Sequence, residues 1–254
     1  MSTKQRINAL RFDLLTMRHA RGFRKDIIVE KNRYIDAQIN SWRVGRGLSD
    51  ALQNDHAANM QEIFKAHYAK IIKTATGLSP TLIDGLKSAG PFEIKRELHE
   101  DALQSWFMKH GGDNAKRTAT TTTADIRRLL LAAFDAGEPE SIVLRQGLLA
   151  KGLSAYRADT IARTETHTAA QFASDYTSRT LAAENGLTLE KAWMPVMDDR
   201  TRDAHAAMDA DDWIGLDDAF DVDGESMDYP GDAGASPENV INCRCQLLKR
   251  VVDF

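Results

Sequence analysis

The sequence predicts a mainly α-helical protein with a small C-terminal α+β unit, in which a long helix packs on a small antiparallel sheet. Apolar side chains recur at helical intervals through the first two-thirds of the 254 residues. Beyond Gly186 this periodicity gives way to short runs typical of strands and turns. Hydrophobic residues make up 43% and charged residues 28% of the chain, a composition that provides a core and excludes wholesale disorder.

The N-terminal region, residues 1–110, is predicted to be helical. Its periodic segments end at glycine or proline, which are the usual helix breakers. Gly22 interrupts the first segment, and a flexible glycine-containing stretch follows it at 44–47. We therefore expect helices at residues 5–42, 49–76, 80–88 and 92–109.

Residues 111–125 are predicted to form a hinge between two domains. This segment contains Gly111-Gly112 and a run of four threonines, and threonine loses rotamer freedom in a helix. Residues 126–254 then form a separate C-terminal domain. Its helices are expected at 126–136, 139–150 and 154–185, with capping residues or proline at their starts and glycine after their ends.

The strands are predicted near the C-terminus. Residues 191–197 have the composition of a strand, and Pro195 favours an edge position or a bulge because proline cannot donate to the ladder. A short helix is expected at 201–209, followed by a loop-rich stretch with a short strand at 225–229. The chain ends in a strand-like run at 241–252.

The net charge of −4 conceals two blocks of opposite charge. Residues 1–50 carry 11 Lys and Arg against 5 Asp and Glu, whereas residues 197–232 carry 12 Asp and 1 Glu against 2 Arg. Such blocks attract different partners or each other, and the alternative is two solvated faces. Nucleic-acid phosphates would bind the first block and avoid the second.

Nothing in the sequence predicts export or membrane insertion. No stretch approaches the roughly 18 consecutive apolar residues of a membrane span, and the charged N-terminus has no secretory signal. The two cysteines lie one residue apart, which excludes a disulfide scaffold. We therefore expect a reducing cytosol, or a particle assembled there.

Glu165 lies on the apolar stripe of the helix predicted at 154–185. A buried carboxylate is costly unless it is paired, so we expect an ion pair with Arg200, Arg202 or Arg244 that ties helix to sheet. A catalytic role for Glu165 is the alternative. Asp198 or Asp199 is expected to cap the short helix that carries His205.

Cys243 and Cys245 are predicted to face the same side of a strand, because alternate residues do so. Together with His205 they offer three of the four ligands of a structural zinc, and His167, Asp198 or Asp199 could supply the fourth. The alternative is that reduced cysteines pack as small apolar residues. An EF-hand loop, a His-Glu-x-x-His zinc motif and a Gly-x-Ser-x-Gly elbow are all excluded by the sequence, and no strong catalytic signature is present.

Five motifs over residues 120–250 resemble the phage Mu F-like head morphogenesis family, the minor head proteins of tailed phages and prophages. They are IARTETH at 161–167, KAW at 191–193, DRTRDAH at 199–205, YPGD at 229–232 and INCRC at 241–245. The chain departs from the family after His205, where it has MDADDW at 208–213. The residues that the resemblance marks as structural are Arg163, Thr164, Glu165, His167, Trp193, Asp199, Arg200, Thr201, Arg202, Asn242 and Arg244.

The resemblance implies a non-enzymatic component of the virion. Such a protein would lie in the phage head after assembly in the host cytoplasm, would contact the portal and capsid proteins, and would act in head morphogenesis or in handling packaged DNA. Double-stranded DNA is a further candidate partner of the basic N-terminal region, and no membrane partner is expected. The alternatives are a toxin-like effector enzyme, either metal-dependent or ADP-ribosyl-transferring, and a simple DNA-binding protein.

Overall fold

The computed structural model describes residues 2–43, 48–86, 96–135 and 155–253. Long helices dominate these residues, and the strands are short and lie mostly in the last quarter of the chain, as the predicted fold class requires. The helix predicted at 139–150 and the break predicted at 44–47 lie outside the described residues. The long helices are α1 (Thr3–Arg43), α2 (Asp50–Leu78), α3 (Arg96–Asp135) and α4 (Ala155–Asn185).

Short elements follow α2 and α4. A 3₁₀ turn at Ser79–Leu82 leads into β1 where the sequence predicted a helix at 80–88, because Pro80 opens only one tight turn. The remaining elements are β1 (Ile83–Asp84), β2 (Thr188–Met194), α5 (Asp203–Ala206), β3 (Ile214–Gly215), β4 (Phe220–Val222), β5 (Glu225–Met227), α6 (Pro237–Val240) and β6 (Gln246–Asp253).

The main sheet has the strand order β1-β6-β2-β3. β6 runs antiparallel to β2, with Trp193 opposite Leu247, and parallel to β1, so the sheet is mixed rather than purely antiparallel. β2 pairs on both sides, with β6 and with β3. The prediction of an edge strand was wrong because β2 ends at Met194, so that Pro195 lies outside the ladder.

β4 and β5 form a separate hairpin. Asp223 and Gly224 connect them with φ angles of 56° and 77°, as in a two-residue turn of type I′. The Asp-Gly pair is the strongest short-range hairpin signal in this part of the chain.

The chain divides into two compact units, and each is built from separate segments of the sequence. Unit 1 comprises Met1–His19, Tyr68–Trp106 and Arg163–Phe254, and it contains both sheets. Helix α4 packs on the main sheet within this unit, where Gln171 bonds to Gln246. The core beside the sheet includes Trp193, and the unit's own cluster of leucines and isoleucine is Ile83, Leu86, Leu181, Leu187, Leu189 and Leu216.

Unit 2 comprises Ala20–His67 and Phe107–Ala162. Aromatic contacts organise its core: Phe23 meets Phe64 edge-on at 4.9 Å, and Tyr34 stacks on His56 at 4.2 Å. The carboxylate of Glu30 is paired within this unit, since it accepts hydrogen bonds from Arg33 and from His56, each at 2.8 Å or less.

The predicted hinge at 111–125 is helical, because α3 runs from Arg96 to Asp135 without a break. The threonine hydroxyls find hydrogen-bond acceptors within the helix itself. Those of Thr122 and Thr123 donate to backbone carbonyls one turn earlier. The hydroxyl of Thr123 also bonds to that of Tyr34 at 2.6 Å, so burial and tertiary contacts outweigh the weak helix propensity.

Gly22 likewise lies inside a continuous helix, α1. A glycine in a helix interior costs about 1 kcal/mol, and the neighbouring Phe23 is completely buried, which outweighs that cost. None of the described helices has a segment that is long and apolar enough to cross a bilayer.

Candidate functional site

The family-like motifs converge in unit 1 around one buried core. Helix α4 carries the segment 161–167, β2 carries Trp193, α5 carries His205, and the stretch before β6 carries the cysteines. Trp193, Tyr229, Cys243 and Cys245 belong to the same hydrophobic cluster.

His205 and the two cysteines form a compact buried group. The Nδ1 atom of His205 lies 3.8 Å from Sγ of Cys243 and 3.5 Å from Sγ of Cys245. Their potential ligand atoms all lie within 4.8 Å of one another, and all three residues are buried. The ring of Trp193 meets that of His205 edge-on at 5.4 Å and 89°. The sequence predicted these residues as metal ligands, and the structure brings them together.

Asn239 orients the imidazole of His205. The amide nitrogen of Asn239 donates to the carboxylate of Glu225 at 3.0 Å and to the carbonyl of Val222 at 3.3 Å. The amide oxygen therefore faces Nε2 of His205, at 3.4 Å, and accepts a hydrogen bond from its N–H. As a result, Nδ1 of His205 presents a lone pair to the two sulfur atoms.

The pKa values of the two thiols are shifted in opposite directions. The hydrogen bond from the thiol of Cys243 holds the pKa of Cys245 well below its usual value, against the opposing effect of burial. The pKa of Cys243 is raised by its hydrogen bond to Cys245 and by burial. One thiolate therefore forms readily in this group, at Cys245.

His167 lies beside this group with a buried, unused nitrogen. It is 4% exposed, and its Nε2 atom has no hydrogen-bond partner among the residues that the structure describes. Burial lowers its pKa to about 4, with Cys245 raising it and His205 lowering it, so the ring is neutral at pH 7. A Cβ atom on Gly231 would lie 2.8 Å from Cδ2 of His167, which explains the glycine in the YPGD motif.

The turn at 198–202 is fixed to the chain before β6 by Asp198. Its carboxylate forms a two-point ion pair with Arg244 at 2.5 and 2.6 Å, and it also accepts from the backbone of Arg200. The bond to Arg244 holds the pKa of Asp198 well below its ordinary value. Arg202 donates to the carbonyl of Ile241 at 2.5 Å, which adds a second tie.

The predicted N-cap of the short helix was wrong. The N-cap of α5 is Arg202, and no side chain caps it, so neither Asp198 nor Asp199 serves that role. Asp198 instead closes an Asx turn, and the hydroxyl of Thr201 donates to the carbonyl of Val196 within it. Asp199 is exposed.

Glu165 is half-buried and accepts a hydrogen bond from the hydroxyl of Tyr68. Two of the arginines predicted as its partners are engaged elsewhere, Arg202 with Ile241 and Arg244 with Asp198. This partner comes from α2, which sequence spacing could not indicate.

Thr164, one turn away from His167, accepts a hydrogen bond from the backbone N–H of Asn242 at 3.0 Å. Asn242 has a φ angle of 58°, a conformation that asparagine tolerates better than most residues. This pair fixes the approach of the chain to the two cysteines. Arg163 is partly exposed on the same helix.

Sequence reasoning missed a pair of buried lysines between α4 and the main sheet. Lys191 and Lys249 are paired across β2 and β6 and are completely buried. Nζ of Lys249 donates to the hydroxyl of Ser174 at 2.6 Å, and Nζ of Lys191 donates to the carbonyl of Asp228 at 3.0 Å. Burial lowers the pKa of Lys249 to about 7. The signal available was a lysine between apolar residues at alternate positions of each strand: Lys191 lies between Leu189 and Trp193, and Lys249 between Leu247 and Val251.

Comparison with known proteins agrees with the family resemblance of the five motifs. The sequence model of the family described as Phage Mu protein F like protein matches residues 111–248, which is more than half of the chain. Comparisons with curated proteins and with solved structures give no match. The matched range contains all five motifs and the group of His205, Cys243 and Cys245. The chain therefore belongs to the phage Mu protein F like family.

Proposed function

We propose that the protein is a minor head protein of a tailed phage or prophage, acting in head morphogenesis inside the virion. The observation that carries this proposal is the family match over residues 111–248. The arrangement of the motif residues supports a structural role rather than a catalytic one, since they hold elements together. Asp198 binds Arg244, Thr164 binds Asn242, and Arg202 binds Ile241.

The first turns of α1 are the surface through which we expect it to bind the portal protein. Ile7, Leu10 and Leu14 are 51%, 56% and 61% exposed, and they follow one another at helical spacing. An exposed apolar stripe of this kind marks an interaction site more often than a solvated face. The capsid protein is the second partner expected in the head.

Basic side chains follow the same part of α1. Lys4, Arg11 and Arg18 are exposed and seven residues apart, which places them along one side of the helix. They support contact with the acidic surface of a partner or with packaged double-stranded DNA.

Localisation tests the main proposal. We expect purified particles to contain the protein, and a map of the particle to place it at the portal vertex. Particles produced without the gene should be defective in head assembly or in retaining DNA. Full assembly and infectivity without the gene, with the protein absent from normal particles, would contradict the proposal.

Paired variants test the surface on α1. Leu10→Asp with Leu14→Asp should abolish co-purification with the portal protein. The control is Met197→Asp, because Met197 is also a largely exposed apolar residue of unit 1, at 73%. Equal loss of binding in both proteins would assign the effect to general damage and overturn this surface.

A gel shift in graded salt tests the DNA contact separately. Each phosphate contact contributes about 0.9 to the slope of log affinity against log salt. Arg11→Glu with Arg18→Glu should therefore reduce the slope by about 2. An unchanged slope would mean that these residues do not contact DNA, and the portal protein would remain the expected partner of α1.

A further inference from the structure

The group formed by His205, Cys243 and Cys245 has the dimensions of a metal site. In a tetrahedral zinc centre with Zn–S of about 2.3 Å and Zn–N of 2.0–2.1 Å, neighbouring sulfur and nitrogen ligands lie about 3.6 Å apart. The distances from Nδ1 of His205 to the two sulfur atoms are 3.5 and 3.8 Å. These two distances therefore match those of a zinc ion held between the imidazole and the sulfur atoms.

The surroundings prepare the imidazole for this role. The amide oxygen of Asn239 faces Nε2 of His205, while the amide nitrogen is engaged by Glu225 and Val222. This hydrogen-bond chain leaves the lone pair on Nδ1, directed at the sulfur atoms. Zinc-binding histidines are usually held in this manner, with the other ring nitrogen donating to an oxygen.

A second, independent observation concerns the fourth position. His167 is 4% exposed, yet its Nε2 atom has no hydrogen-bond partner among the described residues. A buried nitrogen without a partner is costly unless something absent from the protein chain satisfies it. Asp198, an alternative fourth ligand, is already bound at both oxygens by Arg244.

We propose that Cys243, Cys245 and His205 bind a structural zinc ion and that His167, whose nitrogen atoms do not lie within 4.8 Å of all three of these ligand atoms, turns to supply the fourth ligand. Two thiolates neutralise the charge of Zn²⁺, so the ion can be held in a buried site. Two sulfur and two nitrogen ligands in tetrahedral geometry favour zinc over magnesium or calcium, which prefer oxygen. On binding, zinc replaces the thiol protons, which pass to solvent.

Such an ion would join three separate parts of unit 1. Its ligands come from α4, from α5 and from the chain that leads into β6. Because structural zinc contributes directly to folding, the motifs IARTETH, DRTRDAH and INCRC would serve to assemble one centre.

Metal analysis of the full chain, purified under reducing conditions without a histidine tag, tests the proposal. We expect about one equivalent of zinc that survives gel filtration. X-ray absorption at the zinc edge should give two sulfur atoms at about 2.3 Å and two nitrogen atoms at 2.0–2.1 Å. Removal of zinc by a chelator should lower the melting temperature, and its return should restore it.

Variants identify the ligands. Cys243→Ser, Cys245→Ser and His205→Gln should each reduce the zinc content to less than about a tenth of an equivalent. His19→Gln is the matched control and should keep its zinc, because His19 belongs to the same unit and bonds instead to Thr74 at 2.9 Å. His167→Gln should weaken zinc binding by more than about tenfold.

The wild-type protein decides the outcome even where a variant fails to fold. The site is not a zinc centre if the reduced wild-type chain takes up less than about a tenth of an equivalent in a zinc titration and its melting temperature does not change when a chelator is added. A first shell with two sulfur atoms and only one imidazole nitrogen would overturn the assignment of His167.

Discussion

The hydrogen bond between the Tyr68 hydroxyl and Glu165 is the clearest contact of a motif residue with the N-terminal half of the chain. Because the substitution weakens the hydrogen bond from Tyr68, we expect Glu165→Gln to lower the free energy of unfolding by about 1–2 kcal/mol. That is less than the roughly 3 kcal/mol expected when a buried ion pair is broken.

A double-mutant cycle checks this prediction. Glu165→Gln and Tyr68→Phe should lose less together than the sum of their separate losses, with a coupling of about 1 kcal/mol in urea unfolding. Strict additivity would mean that the two side chains act independently.

Gly231 and Gly224 make a matched pair of residues with positive φ, 78° and 77°. A Cβ on Gly231 would lie 2.8 Å from Cδ2 of His167, whereas a Cβ on Gly224 would meet nothing within 4 Å. We expect Gly224→Ala to cost about 1 kcal/mol from backbone strain alone. Gly231→Ala should cost about 1–3 kcal/mol more, because the imidazole has to move. Equal losses in denaturant unfolding would contradict the crowding at His167.

At the scale of elements, α4 is held against the main sheet partly by a buried charged group. Lys249 on β6 faces Asp175 and Arg179 on α4 and Lys191 on β2, and burial lowers its pKa to about 7. The unfolded lysine stays protonated up to about pH 10.5, so between these values the unfolded state binds more protons. Raising the pH through this window therefore stabilises the folded state.

We expect the stability of the wild-type protein to rise between pH 7 and 10 relative to Lys249→Met, by up to about 1.4 kcal/mol per pH unit. Lys70→Met is the control, because Lys70 is exposed and belongs to the same unit. Urea unfolding at several pH values measures the difference. Parallel pH curves for the wild-type protein and Lys249→Met would show that Lys249 titrates normally.

A second prediction at this scale concerns the proteolysis of helix α3. Lys116 and Arg117 are exposed sites for trypsin, but they lie within the continuous helix rather than in a hinge. Cleavage after Arg200, in a turn, should therefore precede cleavage after either of them. Mass spectrometry of a timed digest identifies the first cut. An early cut within 111–125 would restore the hinge that the threonine run predicted.

At the scale of the whole molecule, unit 1 is built from three separate parts of the chain. Its N-terminal parts complete the sheet and core: β1 pairs with β6, Ala9 packs with Met194 and Leu248, and Asp13 accepts from Gln246. A fragment of residues 120–254 would expose these surfaces.

We therefore expect the fragment 120–254 to melt without cooperativity, or well below the temperature of the full chain. Calorimetry and near-ultraviolet circular dichroism compare the two proteins. A fragment that melts cooperatively at the temperature of the full chain would establish the autonomous C-terminal domain that the sequence predicted.

The sequence by itself determined the fold class, the family and the local position of nearly every motif. Helical periodicity, the change of pattern after Gly186 and the order of the five motifs are properties of neighbouring residues, and neighbouring residues are what a sequence displays. The strand alternation that predicted a common side for Cys243 and Cys245 was wrong, because the strand begins only at Gln246, although both sulfur atoms do lie near His205.

Only the tertiary structure decided which distant residues meet. Tyr68 donates to Glu165, Asn239 orients His205, and the buried lysines lie opposite each other through strand register. The threonine run is helical because burial and the bond to Tyr34 outweigh its weak propensity. These outcomes depend on contacts between segments far apart in the chain, and local preferences of about 1 kcal/mol per residue cannot fix them.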